Sequence, residues 1–170
     1  MIFGMSIATF TTVHVALSLA GIASGFVVVF GMIEGKPSGV WTAIFLLTTV
    51  LTSITGFPIP PLGFDPPRAI GLLSLLLLTL AIVALLVFHL ARSWRWIYAV
   101  TTIAVLYFNC FVGVVQTFQK ISFFRSLAPT QSEPPFAIAQ IAVLIIFIVL
   151  GVLAVKRFTP SANTAAFRLP

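Results

Sequence analysis

Ile7-Ala-Thr-Phe-Thr-Thr-Val-His14-Val-Ala-Leu-Ser18-Leu-Ala-Gly21-Ile-Ala-Ser-Gly25-Phe-Val-Val-Val-Phe-Gly-Met32 decides the fold, because no formally charged side chain interrupts it. A helix crossing ~30 Å of hydrocarbon needs roughly 20 apolar residues, and backbone amides in lipid must be satisfied within their own segment. The stretch is therefore read as a transmembrane helix over 7–32. It is longer than the apolar core of a cleaved signal peptide, and residues 1–6 carry no Lys or Arg.

Working outward, four further apolar runs are expected as spans over 39–57, 68–91, 95–118 and 135–155. The chain thus reads as an all-α membrane protein, a single bundle of five transmembrane helices. Composition agrees: the 170 residues are 60% hydrophobic and 7% charged, with a mean hydropathy of +1.19, whereas a soluble domain carries about a quarter charged residues. Nine basic residues, three acidic ones and a single cysteine exclude a disordered chain, a nucleic-acid binder and a secreted disulfide scaffold. The pI near 10.5 reflects basic residues in the loops.

The connections punctuate these runs. Glu34-Gly-Lys-Pro-Ser-Gly39 and Arg92-Ser-Trp-Arg95 are tight polar turns. Five prolines between Phe57 and Pro67 make a stiff extended loop. The loop over 119–134 ends in Ser132-Glu-Pro-Pro135, where Ser132 or Glu133 can cap the fifth helix and the prolines occupy its first turn. One face of the membrane receives Lys36, Arg92, Arg95, Lys156, Arg157 and Arg168, the other only Arg68, Lys120 and Arg125. That asymmetry predicts an outside N-terminus and a cytoplasmic C-terminus, and Trp41, Trp94 and Trp96 then lie at the cytoplasmic interface as headgroup anchors.

Depth follows from the helical rise of 1.5 Å per residue. His14 lies about 10 Å inside the outer boundary of the first helix, whereas His89 lies near the cytoplasmic end of the third. The two histidines are too far apart to clamp one haem. His14, Thr52, Asn109 and Gln140 reach similar depth on four helices, and Gln116 shares a helix face with Asn109, Gly113 and Lys120. An outer-leaflet polar pocket is expected from His14, Thr52, Asn109, Gln116 and Gln140. His14 is the one deeply embedded ionisable side chain, and such groups in lipid are functional hypotheses by default. It is also the sole embedded candidate for an axial haem ligand. Ser18, Gly21, Gly25 and Gly113 are read as helix-packing residues, with Gly21 and Gly25 spaced as a G-x-x-x-G pair that admits a neighbouring backbone. Against the pocket stands the bland reading: amides and hydroxyls join membrane helices through hydrogen bonds of about 0.6 kcal/mol on average.

No catalytic residue is singled out. Cys110 has no partner for a redox pair, Glu34, Asp65 and Glu133 fall in loops or at helix ends, and phosphate-loop, nucleophile-elbow and zincin motifs are absent. Asp65, Arg68, Lys120, Arg125 and Glu133 fall in the two long outer loops beside the expected pocket.

His14-Val-Ala-Leu-Ser-Leu-Ala-Gly21, Phe45-Leu-Leu-Thr-Thr-Val-Leu-Thr-Ser-Ile-Thr-Gly-Phe57, Trp96-Ile-Tyr98, Leu106-Tyr-Phe-Asn109 and Pro129-Thr-Gln-Ser-Glu-Pro-Pro-Phe136 together carry a resemblance. The chain resembles, over nearly its whole length, uncharacterised small polytopic inner-membrane proteins of Gram-negative bacteria. That resemblance implies a multi-pass protein of the bacterial inner membrane and no particular activity. In architecture alone the chain is also similar to the tryptophan-rich sensory, translocator-type proteins that bind porphyrins, whose tryptophan and proline motif it lacks. Two expectations follow. One is a pocket that binds or passes a small molecule or lipid-soluble cofactor, haem among the candidates. The other is a non-catalytic accessory subunit, with the lipid bilayer, further copies of itself or a larger membrane complex as partners.

Overall fold

The computed structural model describes residues 1–60 and 66–158; Asp65 and Arg168 lie outside them. Six helices follow in order: α1 Ile7–Ile33, α2 Gly39–Gly56, α3 Pro66–Ile82, α4 Trp94–Lys120, α5 Ser122–Leu127 and α6 Pro134–Arg157. Five are long and apolar enough to cross a membrane, the third being α3 continued to Val87. The fold is an all-α five-helix membrane bundle.

Local chemistry sets the ends. Ser6 caps α1 by accepting the Thr9 amide at 3.1 Å. Beyond its last turn the Lys36 amide donates to the Gly31 carbonyl at 2.8 Å, and Gly35 takes the left-handed φ of 72° that reverses the chain. A Cβ on Gly31 would stand 3.0 Å from the Lys36 carbonyl oxygen, so a side chain there would require the turn to give by a few tenths of an ångström. At the start of α6, Pro134 and Pro135 take positions whose amides have no intrahelical acceptor, and Glu133 is the cap residue. Its carboxylate turns back instead, accepting from the Thr130 amide and hydroxyl and from the Ser132 amide. Desolvation pulls the Glu133 carboxyl upward, but the Thr130 hydroxyl and the backbone amides together hold it below the usual carboxylate range.

Two segments depart from the sequence expectation. The third helix does not run to residue 91: its last turn widens into a π-helix, Val83–Val87, closed by Phe88 N–H to the Val83 carbonyl and Leu90 N–H to the Ala84 carbonyl. The wide turn satisfies terminal carbonyls while burying Leu90 in the core. His89 therefore stands after the helix, in an exposed turn at φ 47°. Phe88 and Trp94 stack across this turn with centroids 3.8 Å apart. The second departure is α5, inside the stretch read as loop; Phe124 meets Phe118 of α4 at 5.4 Å, which anchors the short helix on the bundle.

α1 packs on α2 and α4, and α3 packs on the same two helices, so four helices close a ring. α6 lies outside that ring, against α4 and α1. The half of the bundle holding Lys36, Arg92 and Arg95 is filled: Val29, Phe45, Ala81, Ala84, Ala99, Val105 and Leu106 are all fully buried there or at mid-height. Small alanines let the helices approach, as expected where lipid supplies no hydrophobic drive for association. The other half is hollow.

Candidate ligand cavity

A cavity of about 440 Å³ occupies the hollow half, walled by α1, α2, α3 and α4 and by the loop after α2. His14 and Ser18 come from α1, Thr52, Ser53 and Gly56 from α2, Gly71 and Ser74 from α3, and Asn109, Gly113 and Gln116 from α4. Arg68 and Lys120 stand at its outer end.

The hydrogen-bond network assigns the imidazole a tautomer. His14 Nδ1 lies 2.9 Å from Thr55 Oγ1. That hydroxyl already gives its proton to its own helix, to the Leu51 carbonyl at 2.7 Å with the Thr52 carbonyl at 3.3 Å. A hydroxyl has one hydrogen, so Nδ1–H must donate to Thr55 and the neutral ring is left with a bare lone pair on Nε2. No hydrogen bond joins Nε2 to any described residue.

The remaining polar side chains sort into two groups. Ser18 donates to the His14 carbonyl at 2.9 Å, Thr48 to the Ile44 carbonyl at 2.7 Å and Thr117 to the Gly113 carbonyl at 2.8 Å, each within its own helix. By contrast, Thr52 Oγ1, Asn109 Nδ2 and Gln116 Oε1 are buried with no hydrogen-bond partner among the described residues, as are Thr49 Oγ1, Thr102 Oγ1 and Gln140 Oε1, whose residues are not among the described lining. Thr52 is 8% exposed. Each such orphan costs about 1–3 kcal/mol unless something satisfies it. Thr52, Asn109 and Gln116 are residues of the cavity wall beside His14, but these three atoms are themselves closed off from the hollow, and the Asn109 amide nitrogen lies at the Gly21 crossing, 3.6 Å from where a Cβ there would stand.

Gln140 is not among the described lining residues. It sits on α6, outside the ring, and its amide nitrogen donates to the Phe111 carbonyl of α4 at 3.2 Å. It has the depth expected of it but joins two helices instead of facing the hollow. The packing residues also divide. Gly21 and Gly25 are buried at the α1 crossing: a Cβ on Gly25 would come within 2.6 Å of Leu106 Cδ1 and 2.9 Å of the Phe45 ring, and one on Gly21 within 3.1 Å of Thr49 Oγ1. Ser18 and Gly113 belong to the cavity wall, where a Cβ on Gly113 would find only Ile22 Cδ1, at 3.9 Å.

Sequence reasoning placed Arg68 beside the pocket without its role there, and missed Ser74. Arg68 donates from Nε to the Phe57 carbonyl at 3.2 Å and from its terminal nitrogen to the Ile59 carbonyl, tying the loop after α2 over the hollow. Ser74, 3% exposed, brings a hydroxyl from α3 into the wall. The signal was the spacing of Arg68, Gly71 and Ser74, one polar or small face on a helix otherwise rich in leucine. Among the described residues no three His, Cys, Asp or Glu side chains gather as a metal site.

Fold and cavity together define the class, a multi-pass all-α membrane protein with a hollow polar end. No family model matches the chain, and neither a curated protein nor a solved structure does.

Proposed function

We propose that this is a small-molecule-binding protein of the bacterial inner membrane, whose outer-leaflet cavity holds or passes a small molecule or lipid-soluble cofactor. One observation carries the reading: His14, Thr52, Asn109 and Gln116 wall one hollow of about 440 Å³, within the ~300–1,000 Å³ of small-molecule sites. Gln140 stands apart from this wall: its amide nitrogen reaches the Phe111 carbonyl of α4, while its oxygen is buried without a partner among the described residues. Haem is the cofactor that His14 Nε2 would suit as an axial ligand, with any second ligand coming from outside this chain. Gln140, as a link between α4 and α6, favours the second reading, an accessory subunit whose polar residues specify packing.

Mass spectrometry of the chain purified in mild detergent tests the choice. A retained compound is expected, lost on Thr52→Val combined with Asn109→Leu; a Soret band would make it haem. A colourless protein that releases nothing on extraction would leave the accessory reading.

The placement of the cavity in the outer leaflet rests on loop charge. The filled end carries Lys36, Arg92, Arg95, Lys156 and Arg157, with exposed Trp41 and Trp96 beside them. A reporter fused after Pro170 is expected in the cytoplasm and one inserted in the 58–67 loop in the periplasm. The reverse result would put the cavity in the inner leaflet.

A further inference from the structure

The cavity has two kinds of edge. Its outer end is polar, formed by Lys120 and the Arg68-tied loop. Its side toward α1 is apolar and open: Val15 and Leu19 line it, yet they are 40% and 62% exposed. Phe108 and Val112 of α4 line it as well, and neighbouring Gly113 contributes no side chain to narrow the gap. Counted from Ile7, Val15 and Leu19 lie about 12 and 18 Å along α1. At that depth a bilayer presents acyl chains and not water. A water-soluble ligand has no use for such an opening.

The polar groups run the other way. On α4, Asn109, Gln116 and Lys120 extend over about 16 Å toward the outer end, and among the described lining residues both formal charges, Lys120 and Arg68, are positive. We propose that the ligand is a membrane-resident amphiphile with an anionic oxygen head and an acyl chain, entering sideways between α1 and α4. Its head lies toward Lys120, beneath the loop that Arg68 ties, and its chain leaves past Leu19. A charge-assisted hydrogen bond to the Lys120 ammonium makes the head's charge the main selector. The proposal rests on the reading of the hollow as a binding site.

The test uses the full chain in nanodiscs of zwitterionic phosphatidylcholine. The probes are photoactivatable palmitoyl lysophosphatidate, the lysophosphatidylcholine of the same chain, and glycerol phosphate as a chainless competitor. Expected is labelling of α1 and α4 by the anionic probe, about tenfold more than by the zwitterionic one. Lys120→Gln should remove about tenfold of the anionic labelling, the scale of one charge-assisted hydrogen bond. Leu19→Trp should block labelling severalfold, whereas Leu47→Trp, equally exposed at 62% but on α2 and outside the lining, should not. Equal labelling by both lipids, labelling indifferent to Leu19→Trp, or full competition by glycerol phosphate overturns the proposal. If no lipid labels but extraction still yields a water-soluble compound, the cavity reading survives and lateral entry falls; if neither is found, both fall.

Discussion

Gly25→Leu is expected to yield no monodisperse protein, and Gly25→Ala to lower thermal stability in detergent by about 1–3 kcal/mol, the usual cost of overpacking. The first added carbon already falls 2.6 Å from Leu106 Cδ1 and 2.9 Å from two carbons of the Phe45 ring. Neither neighbour can yield, because Leu106 and Phe45 are both 0% exposed. Gly113→Ala is the internal control: its Cβ would meet one atom at 3.9 Å, and alanine favours helix over glycine by up to ~1 kcal/mol. Its stability should equal or exceed that of the parent. Equal behaviour of the Gly25 and Gly113 variants in a thermal-shift assay would mean that the α1 crossing is not packed as described.

Asn109→Leu is expected to separate ligand binding from stability. The Asn109 amide nitrogen is buried with no partner among the described residues, so an apolar side chain of similar size removes a desolvation penalty and breaks no helix-to-helix bond seen among them. The ligand-free protein should melt at the same temperature or higher, while ligand retention falls about tenfold, or about 1.4 kcal/mol. Gln140→Leu should do the opposite: it loses the bond to the Phe111 carbonyl, costs about 0.6 kcal/mol of stability, and leaves retention nearly intact. A loss of stability in Asn109→Leu matching that in Gln140→Leu would make both residues packing contacts.

Hydropathy and turn chemistry made the five spans legible. Glu34-Gly35, the prolines before α3 and those at 134 and 135 mark ends that the structure places within a few residues. What hydropathy measures is depth, and depth does not fix the direction a residue faces. α6 is apolar nearly all round, with Ile138, Ile141, Ile145 and Ile148 all exposed, so nothing in its own sequence tells which side meets α4. Gln140 shares the depth of His14 yet faces away from the hollow for that reason. The partner of His14 was equally hidden: Thr55 reads as a hydroxyl content with its own helix, and only the packing of α1 on α2 gives it the second, accepting role. The π-turn at Val83–Val87 has no local signature either, since Val-Ala-Leu-Leu-Val would serve as well in an α-helix.

The crossing at Gly25 also acts as a fulcrum. From there α1 extends about 27 Å to Ile7 at the helical rise, a stiff arm whose far end forms one jamb of the hollow. Pivoting that arm by ~5° would move its tip by about 2 Å and Leu19, about 9 Å from the pivot, by about 0.8 Å. On the binding reading, the width of the opening would answer to the side chains at Phe45 and Leu106, which are not among the described residues lining the hollow. Variation in ligand choice among related chains should be sought at this pivot as much as in the wall.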